Sequence, residues 1–329
     1  MATIHDVAKK AGVSIATISR YFNQGYVGKA SREKIERVIA ELDFKPNAVA
    51  RALNNKSSKI IGLIVPSIFN PFFPELAQAV EEEAARHGYR LMLCSAESVG
   101  GDSAGSDKEA EFIEFMVLNH ADGIITSTGN CSDIYNQLSL PVISVDRELQ
   151  AGNGHVTSDN LEGGRLALQH LQQCGCRRAA FVGDARESAS QARRRIGFTQ
   201  EAEQRGVETA VYLIDPQAPE TSLDELIPQL AAYDGVFAWN DTVAVEILHG
   251  FHKAGVAVPG QTQVVGFDNV HMSQIFIPAI TTIGQQIREM GLRAVALLMQ
   301  AIAEPGRDRS VSVLDVTLIP RVTTKGEFQ

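Results

Sequence analysis

The chain is 329 residues long, 44% hydrophobic and 21% charged, which allows two or three domains and a large buried core. No apolar run approaches the roughly 20 residues that span a bilayer, and the opening MATIHDVAKKAGVS lacks the apolar stretch of a signal peptide, so a cytoplasmic protein is expected. Charge is divided unevenly: through Lys59 there are 11 Lys and Arg against 5 Asp and Glu, a balance of +6, whereas the remainder carries −15 for a chain total of −9. A small basic head on an acidic body implies that the head meets a polyanion and the body does not. The four cysteines (Cys94, Cys131, Cys174 and Cys176) form no CxxC pair and no His/Cys ligand spacing, so reduced thiols and no metal site are expected.

In chain order, Thr3 can cap a helix over Ile4–Ala11, with Asp6 near its positive end and Ile4, Val7, Ala8 and Ala11 on one face. Gly12-Val13 breaks that helix, and Ser14 can cap a second one to about Phe22. Ile18 and Phe22 of the second helix face inward, leaving Ile15, Ala16, Thr17, Ser19 and Arg20 outside. Ser31 is expected to open a third helix on Ile35, Val38, Ile39 and Leu42. Two short helices across a tight turn with a supporting third make a helix-turn-helix, whose second helix enters the DNA major groove. Arg20 suits the bidentate contact to guanine, and Ile15 and Ala16 offer apolar contact to a thymine methyl. Thr17, Ser19 and Lys29 suit phosphates. A small protein-binding helical module is the bland alternative.

The run IHDVAKKAGVSIATISRYFN, long and ungapped, resembles the opening of LacI/GalR-family transcription regulators. Beyond it, Pro46–Asn55 reads as a short helix that Asn47 can cap, too short to be stable alone in water. Lys56-Ser57-Ser58-Lys59 follows as a polar linker. The resemblance implies that this hinge folds on operator DNA beside its copy in a partner subunit. It also implies that Leu53 wedges into a central minor-groove step, with Arg51 near the backbone.

From Ile60 onward, strands alternate with amphipathic helices. IIGLIVPS, YRLMLCSAE, DGIITST and PVISVDR form one series, with a helix over 74–87 after the first; HVTSDN, RAAFVGD, YDGVFAWND and TQVVGFD form a second. This pattern predicts a two-lobed α/β domain with parallel sheets, resembling periplasmic binding proteins, behind an all-α headpiece. The domains expected are 1–45 for the helix-turn-helix, 46–59 for the hinge and linker, and 60–329 for the effector-binding and dimerisation domain. Ligands of such sheets bind at the carboxyl ends of the strands, in the crevice.

Polar residues stand at those ends. Asn70-Pro71-Phe72-Phe73 follows the first strand, with Asn70 as helix cap; Asp146-Arg147, Asn240-Asp241, Asp268 and Gln285 end later ones, and Arg194 lies in a basic run. Core phenylalanines, a salt bridge, a helix cap and solvated arginines are the ordinary readings of these residues. Carboxylate, guanidinium and amide groups with an aromatic ring are what a sugar requires, although a purine also stacks on Phe. No GxGxxG follows a strand, and no GxxxxGK[ST], serine elbow or HExxH occurs, so no catalytic residue and no cofactor are expected. A sugar-processing enzyme using Asp146 and Asp268 is the alternative of a different class. A periplasmic receptor is excluded by residues 1–59.

Asn70, Phe72, Phe73, Asp146, Arg147, Arg194, Asn240, Asp268 and Gln285 resemble the contact set of ribose-type sugar-binding proteins and the LacI-family effector domain. An aromatic of that set, near Asp215–Leu223, has no counterpart. The resemblance implies a repressor of a sugar-utilisation operon released by a small sugar, a ribose-like pentose first. Sucrose or fructose, and a purine-type corepressor of opposite sign, are the alternatives. The implied partners are near-palindromic operator DNA, the sugar and a second copy of the chain, with no membrane. RVTTKGEFQ closes the chain without heptads, so a homodimer is expected rather than a tetramer.

Overall fold

The computed structural model describes residues 2–22, 25–44, 57–96, 102–129, 131–149, 154–186, 188–215, 219–306 and 311–326, with only the backbone at 102–106, 219–222 and 224. The chain divides into two units, Met1–Ser58 and Lys59–Gln329. The expected hinge helix, with Asn47, Arg51 and Leu53, lies outside the described residues.

The first unit contains α1 (Ile4–Ala11), α2 (Ile15–Phe22) and α3 (Lys29–Glu41). Thr3 and Asp6 make a reciprocal capping box at the start of α1, satisfying amides that no helical carbonyl reaches. Gly12, at φ 64°, takes the left-handed conformation that ends the helix. Ser14 Oγ then accepts the Thr17 amide at 3.2 Å to start α2. Val7, Ala8, Ala11, Ile18, Ile35 and Val38 close a small core that Val27 and Phe44 complete. The third helix begins at Lys29, two residues before the expected Ser31, because the amides of Ser31 and Arg32 both donate to the Gly28 carbonyl at 3.0 Å.

The second unit has two lobes. The first-lobe strands are β1 (Ile60–Val65), β2 (Arg90–Ser95), β3 (Gly123–Thr126), β4 (Val142–Val145) and β5 (Gly154–Ser158), with helices α4 (Phe72–Arg86), α5 (Asp102–Leu118) and α6 (Ser132–Gln137) between them. The second lobe is built from α7 (Asn160–Gln173), β6 (Arg178–Asp184), α8 (Ala189–Arg205), β7 (Glu208–Ile214), α9 (Pro219–Leu230), β8 (Gly235–Ala238), α10 (Asp241–Ala254), β9 (Gln263–Asp268), α11 (His271–Ile275) and β10 (Thr281–Gly284). The chain then returns through α12 (Ile287–Ala303) and β11 (Val311–Leu314) to the first lobe and ends its strands with β12 (Thr317–Ile319) in the second. Sheet orders are β11-β5-β4-β3-β1-β2 and β12-β10-β9-β8-β6-β7.

Three differences from the sequence reading follow. The strand of HVTSDN belongs to the first sheet, where Val156 pairs with Val145 of β4; a buried apolar run does not say which sheet receives it. The sheets are parallel as expected, with one strand, β12, running antiparallel to β10. The helix expected over 74–87 spans Phe72–Arg86 instead. Its first amide is met by Asn70, whose Oδ1 accepts the Phe72 N–H at 3.0 Å across Pro71. The central strands β1, β3, β4, β6, β8 and β9 are almost wholly inaccessible, whereas the edge strands β2, β7, β11 and β12 keep exposed positions.

Candidate functional site

On α2, Ala16, Ser19 and Arg20 are exposed and Ile15 is 43% exposed, while Ile18 is sealed in the core. Thr17 differs from expectation. It is half-buried, and its hydroxyl shares a hydrogen bond of 2.9 Å with Ser14 Oγ, so it serves the helix start. Lys29 is exposed on the first residue of α3. Tyr26, passed over in the sequence, is 90% exposed, which is unusual for a side chain with so large an apolar body.

The second unit holds a cavity of about 320 Å³ between the carboxyl ends of the two sheets. Asn70, Phe72, Phe73, Asp146, Arg147, Arg194, Asn240, Asp268 and Gln285, all nine residues singled out above, line it. Strand geometry explains the convergence: Asp146 and Arg147 directly follow β4, Asp268 is the last residue of β9, and Gln285 directly follows β10. Asp146 has φ 57° and Asp268 φ 109°. Left-handed backbone costs about 1–2 kcal/mol at a residue with a Cβ, so local strain is held where the strands meet the cavity.

Arg194 is the central cation, 3% exposed despite its basic neighbours. Its Nε donates to Asn160 Oδ1 at 2.7 Å and Nη1 to the Trp239 carbonyl at 2.6 Å. Its guanidinium carbon stands 3.6 Å from the centre of the Phe267 ring. Asp146 and Asp268 lie 3.8 and 3.7 Å from its terminal nitrogens. Burial raises the Asp268 carboxyl well above its ordinary range, and Arg194 only partly opposes this. Gln285 Nε2 donates to Asp268 Oδ1 at 2.6 Å, whereas Gln285 Oε1 is buried and accepts no hydrogen bond. That acceptor suits a ligand hydroxyl. Desolvation holds the Arg147 guanidinium below its usual range, and its Nε donates to the Ser127 carbonyl at 3.3 Å.

The wall carries three carboxyl groups, Asp146, Asp184 and Asp268, against three guanidiniums, Arg147, Arg186 and Arg194. A formally balanced wall rich in hydroxyl and amide groups favours an uncharged polyhydroxylated ligand over an anion. Phe72 is 3% exposed and belongs to the first-lobe core as well. Phe73, set edge-on to it at 88°, is only partly buried. Asn240 is both lining residue and cap: its Oδ1 accepts the Val243 amide at 2.8 Å.

The profile of bacterial regulatory proteins of the lacI family matches residues 3–47, and that of the periplasmic binding protein-like domain matches residues 168–324. A ribose operon repressor of Halalkalibacterium halodurans is 35% identical over 99% of this chain and 98% of its own length. This chain belongs to the LacI family. Among solved structures, a periplasmic binding protein/LacI transcriptional regulator of Alkaliphilus metalliredigens complexed with D-xylulofuranose is 30% identical, with a TM-score of 0.72 over 82% of this chain and 100% of that one. The lac repressor dimer bound to operator, 24% identical, shares the fold with a TM-score of 0.83 over 98% of each chain.

Within this LacI-family cavity the sequence reading missed Trp239 and the residues Asp184, Arg186, Ser188 and Ser190 around the start of α8. Trp239, the chain's single tryptophan, supplies a second aromatic surface where no counterpart was found near Asp215–Leu223. The signal was present, since it precedes Asn240 at a strand end. Asn160 was missed in the same way, two residues beyond β5.

Proposed function

We propose that this LacI-family member is a homodimeric, cytoplasmic repressor of a sugar-utilisation operon, a pentose of the ribose type being its effector. The observation that carries this reading is the cavity. Nine residues spread over more than two hundred positions meet on one charge-balanced wall, where paired carboxyl, guanidinium and amide groups suit adjacent hydroxyls and Phe73 and Trp239 suit a C–H face. The 35% identity to a ribose operon repressor and the likeness to a D-xylulofuranose complex support a pentose.

Sugar binding changes the angle between the lobes and moves the attachment of the hinge, so operator affinity falls. The effect cannot exceed the difference in sugar affinity between the two states, ordinarily about 1–3 kcal/mol. Arg20, Ile15 and Ala16 read bases; Ser19 and Lys29 hold phosphates. The protein turns over no substrate.

Calorimetric titration with D-ribose, D-xylulose, D-fructose, sucrose and hypoxanthine, repeated against operator binding, tests this. Ribose or xylulose binding that weakens the operator complex is expected. Tightening by hypoxanthine would establish a corepressor, and consumption of any sugar would establish an enzyme.

A further inference from the structure

We infer that Asn160, which does not line the cavity, is a positioning residue that sets Arg194 and Asp146 for the effector and ties their geometry to the angle between the lobes. The inference rests on the sugar-binding reading of the cavity. Asn160 is the first residue of α7, at the first crossover from β5 of the first lobe into the second, and is 1% exposed. Its amide has two faces. The carbonyl oxygen accepts Arg194 Nε at 2.7 Å; the amino group donates to the Ser158 carbonyl at 3.0 Å and to Asp146 Oδ1 and Thr157 Oγ1 at 3.3 Å.

The two faces belong to bodies of different freedom. Helices α7 and α8 touch backbone to backbone: a Cβ on Gly164 would lie 2.0 Å from the Arg194 carbonyl oxygen, and one on Gly197 2.0 Å from that of Leu161. Asn160 and Arg194 therefore move as one piece with the second lobe. Asp146 directly follows β4 and moves with the first. The shortest contact, to Arg194, lies within the second lobe, while those to first-lobe residues are longer: Asn160 to the Ser158 carbonyl at 3.0 Å and to Thr157 and Asp146 at 3.3 Å, and Arg194 to Asp146 at 3.8 Å. Thr157 and Ser158 are tethered to Asn160 by the chain itself, so rotation of one lobe against the other changes the two distances to Asp146 first. A ligand held by Asp146 and Arg194 then senses lobe angle through the amide between them.

Asn160→Asp separates this role from a merely structural one. A carboxylate keeps the acceptor for Arg194 and suits the first turn of a helix, but it replaces the donor to Asp146 by a like charge. The groups facing it are Asp146 from β4 and Arg194 from α8, with Asp268 of β9 beyond Arg194. The probe is whichever of D-ribose, D-xylulose or sucrose gives a calorimetric signal with the wild type. Silence from ribose and xylulose alone counts against the pentose reading and not against this role. The variant is expected to bind about tenfold or more weakly at pH 7.5, with the gap narrowing toward pH 5 as protonation restores the donor. Hydrogen exchange on sugar-free protein gives a readout independent of any ligand: faster exchange at both 145–148 and 190–195 is expected. Wild-type affinity at both pH values, or exchange altered only at 157–163, would overturn the inference.

Discussion

Gln285 donates its side-chain amide to Asp268 at 2.6 Å, joining the first residue beyond β10 to the last residue of β9. The bond orients a buried carboxyl that Arg194 faces at 3.7 Å, and it leaves Gln285 Oε1 as a buried free acceptor. Gln285→Leu should remove both functions. Two hydrogen bonds are lost, each ordinarily contributing about 0.5–1.5 kcal/mol, so effector affinity is expected to fall roughly five- to a hundredfold by calorimetry. An unchanged Kd would place the ligand away from this wall.

Asp241, buried as the first residue of α10, gives a pH prediction. Its carboxyl is pushed from 3.8 up to about 7 by burial, against opposing hydrogen bonds from Thr282 and the Val270 amide. The folded state therefore holds a proton that the unfolded chain releases near pH 4. This group's contribution to stability must decline as pH rises from about 4 to 7, and stay constant above. Asp241→Asn, whose amide can donate to the Thr282 hydroxyl, abolishes that slope. Thermal melting should show the variant gaining on the wild type across this window, by up to about 4 kcal/mol. Parallel melting curves from pH 4 to 7 would mean that Asp241 ionises normally.

Gly164→Ala and Gly197→Ala reverse the usual helix rule. Alanine ordinarily stabilises a helix interior by about 0.5–1 kcal/mol. Here the added methyl meets backbone at 2.0 Å in both cases. Each variant should lose about 2 kcal/mol or more in urea titration, since rigid backbone cannot yield as a side chain does. Stabilisation by either would show that the two helices separate readily.

Arg20→Ala should relax preference at one guanine of the operator, at a cost of about 1–3 kcal/mol on the cognate site. Binding to a library randomised at each position measures it. Uniform weakening over all sequences, with a shallower salt dependence, would instead make Arg20 a phosphate contact.

Leu53→Ala tests the hinge. If Leu53 wedges into the minor groove, the variant weakens specific binding far more than nonspecific binding, because only the specific complex holds the kinked step. Equal loss in gel-shift titrations on operator and random DNA would exclude the wedge.

Much of this protein is determined by sequence alone because the signals are local. Thr3 and Ser14 accept amides three residues on, and the Gly12 amide donates to the Ala8 carbonyl four residues back, so the first two helices can be placed to the residue. The strands before Asn70, Asp146 and Asp268 announce themselves by short apolar runs, and polar groups at their carboxyl ends are conspicuous in a line of text. Only the tertiary structure decides which strand joins which sheet, because β11 pairs with β5 more than 150 residues earlier in the chain. The same holds for Arg194. Sequence sets it between Arg193 and Arg195 without distinction, whereas the contact of α7 with α8 turns it alone inward, to Asn160, Trp239 and Phe267. Burial, carboxyl protonation and the two-faced bonding of Asn160 are properties of distance, and distance between remote residues exists only once the chain has folded.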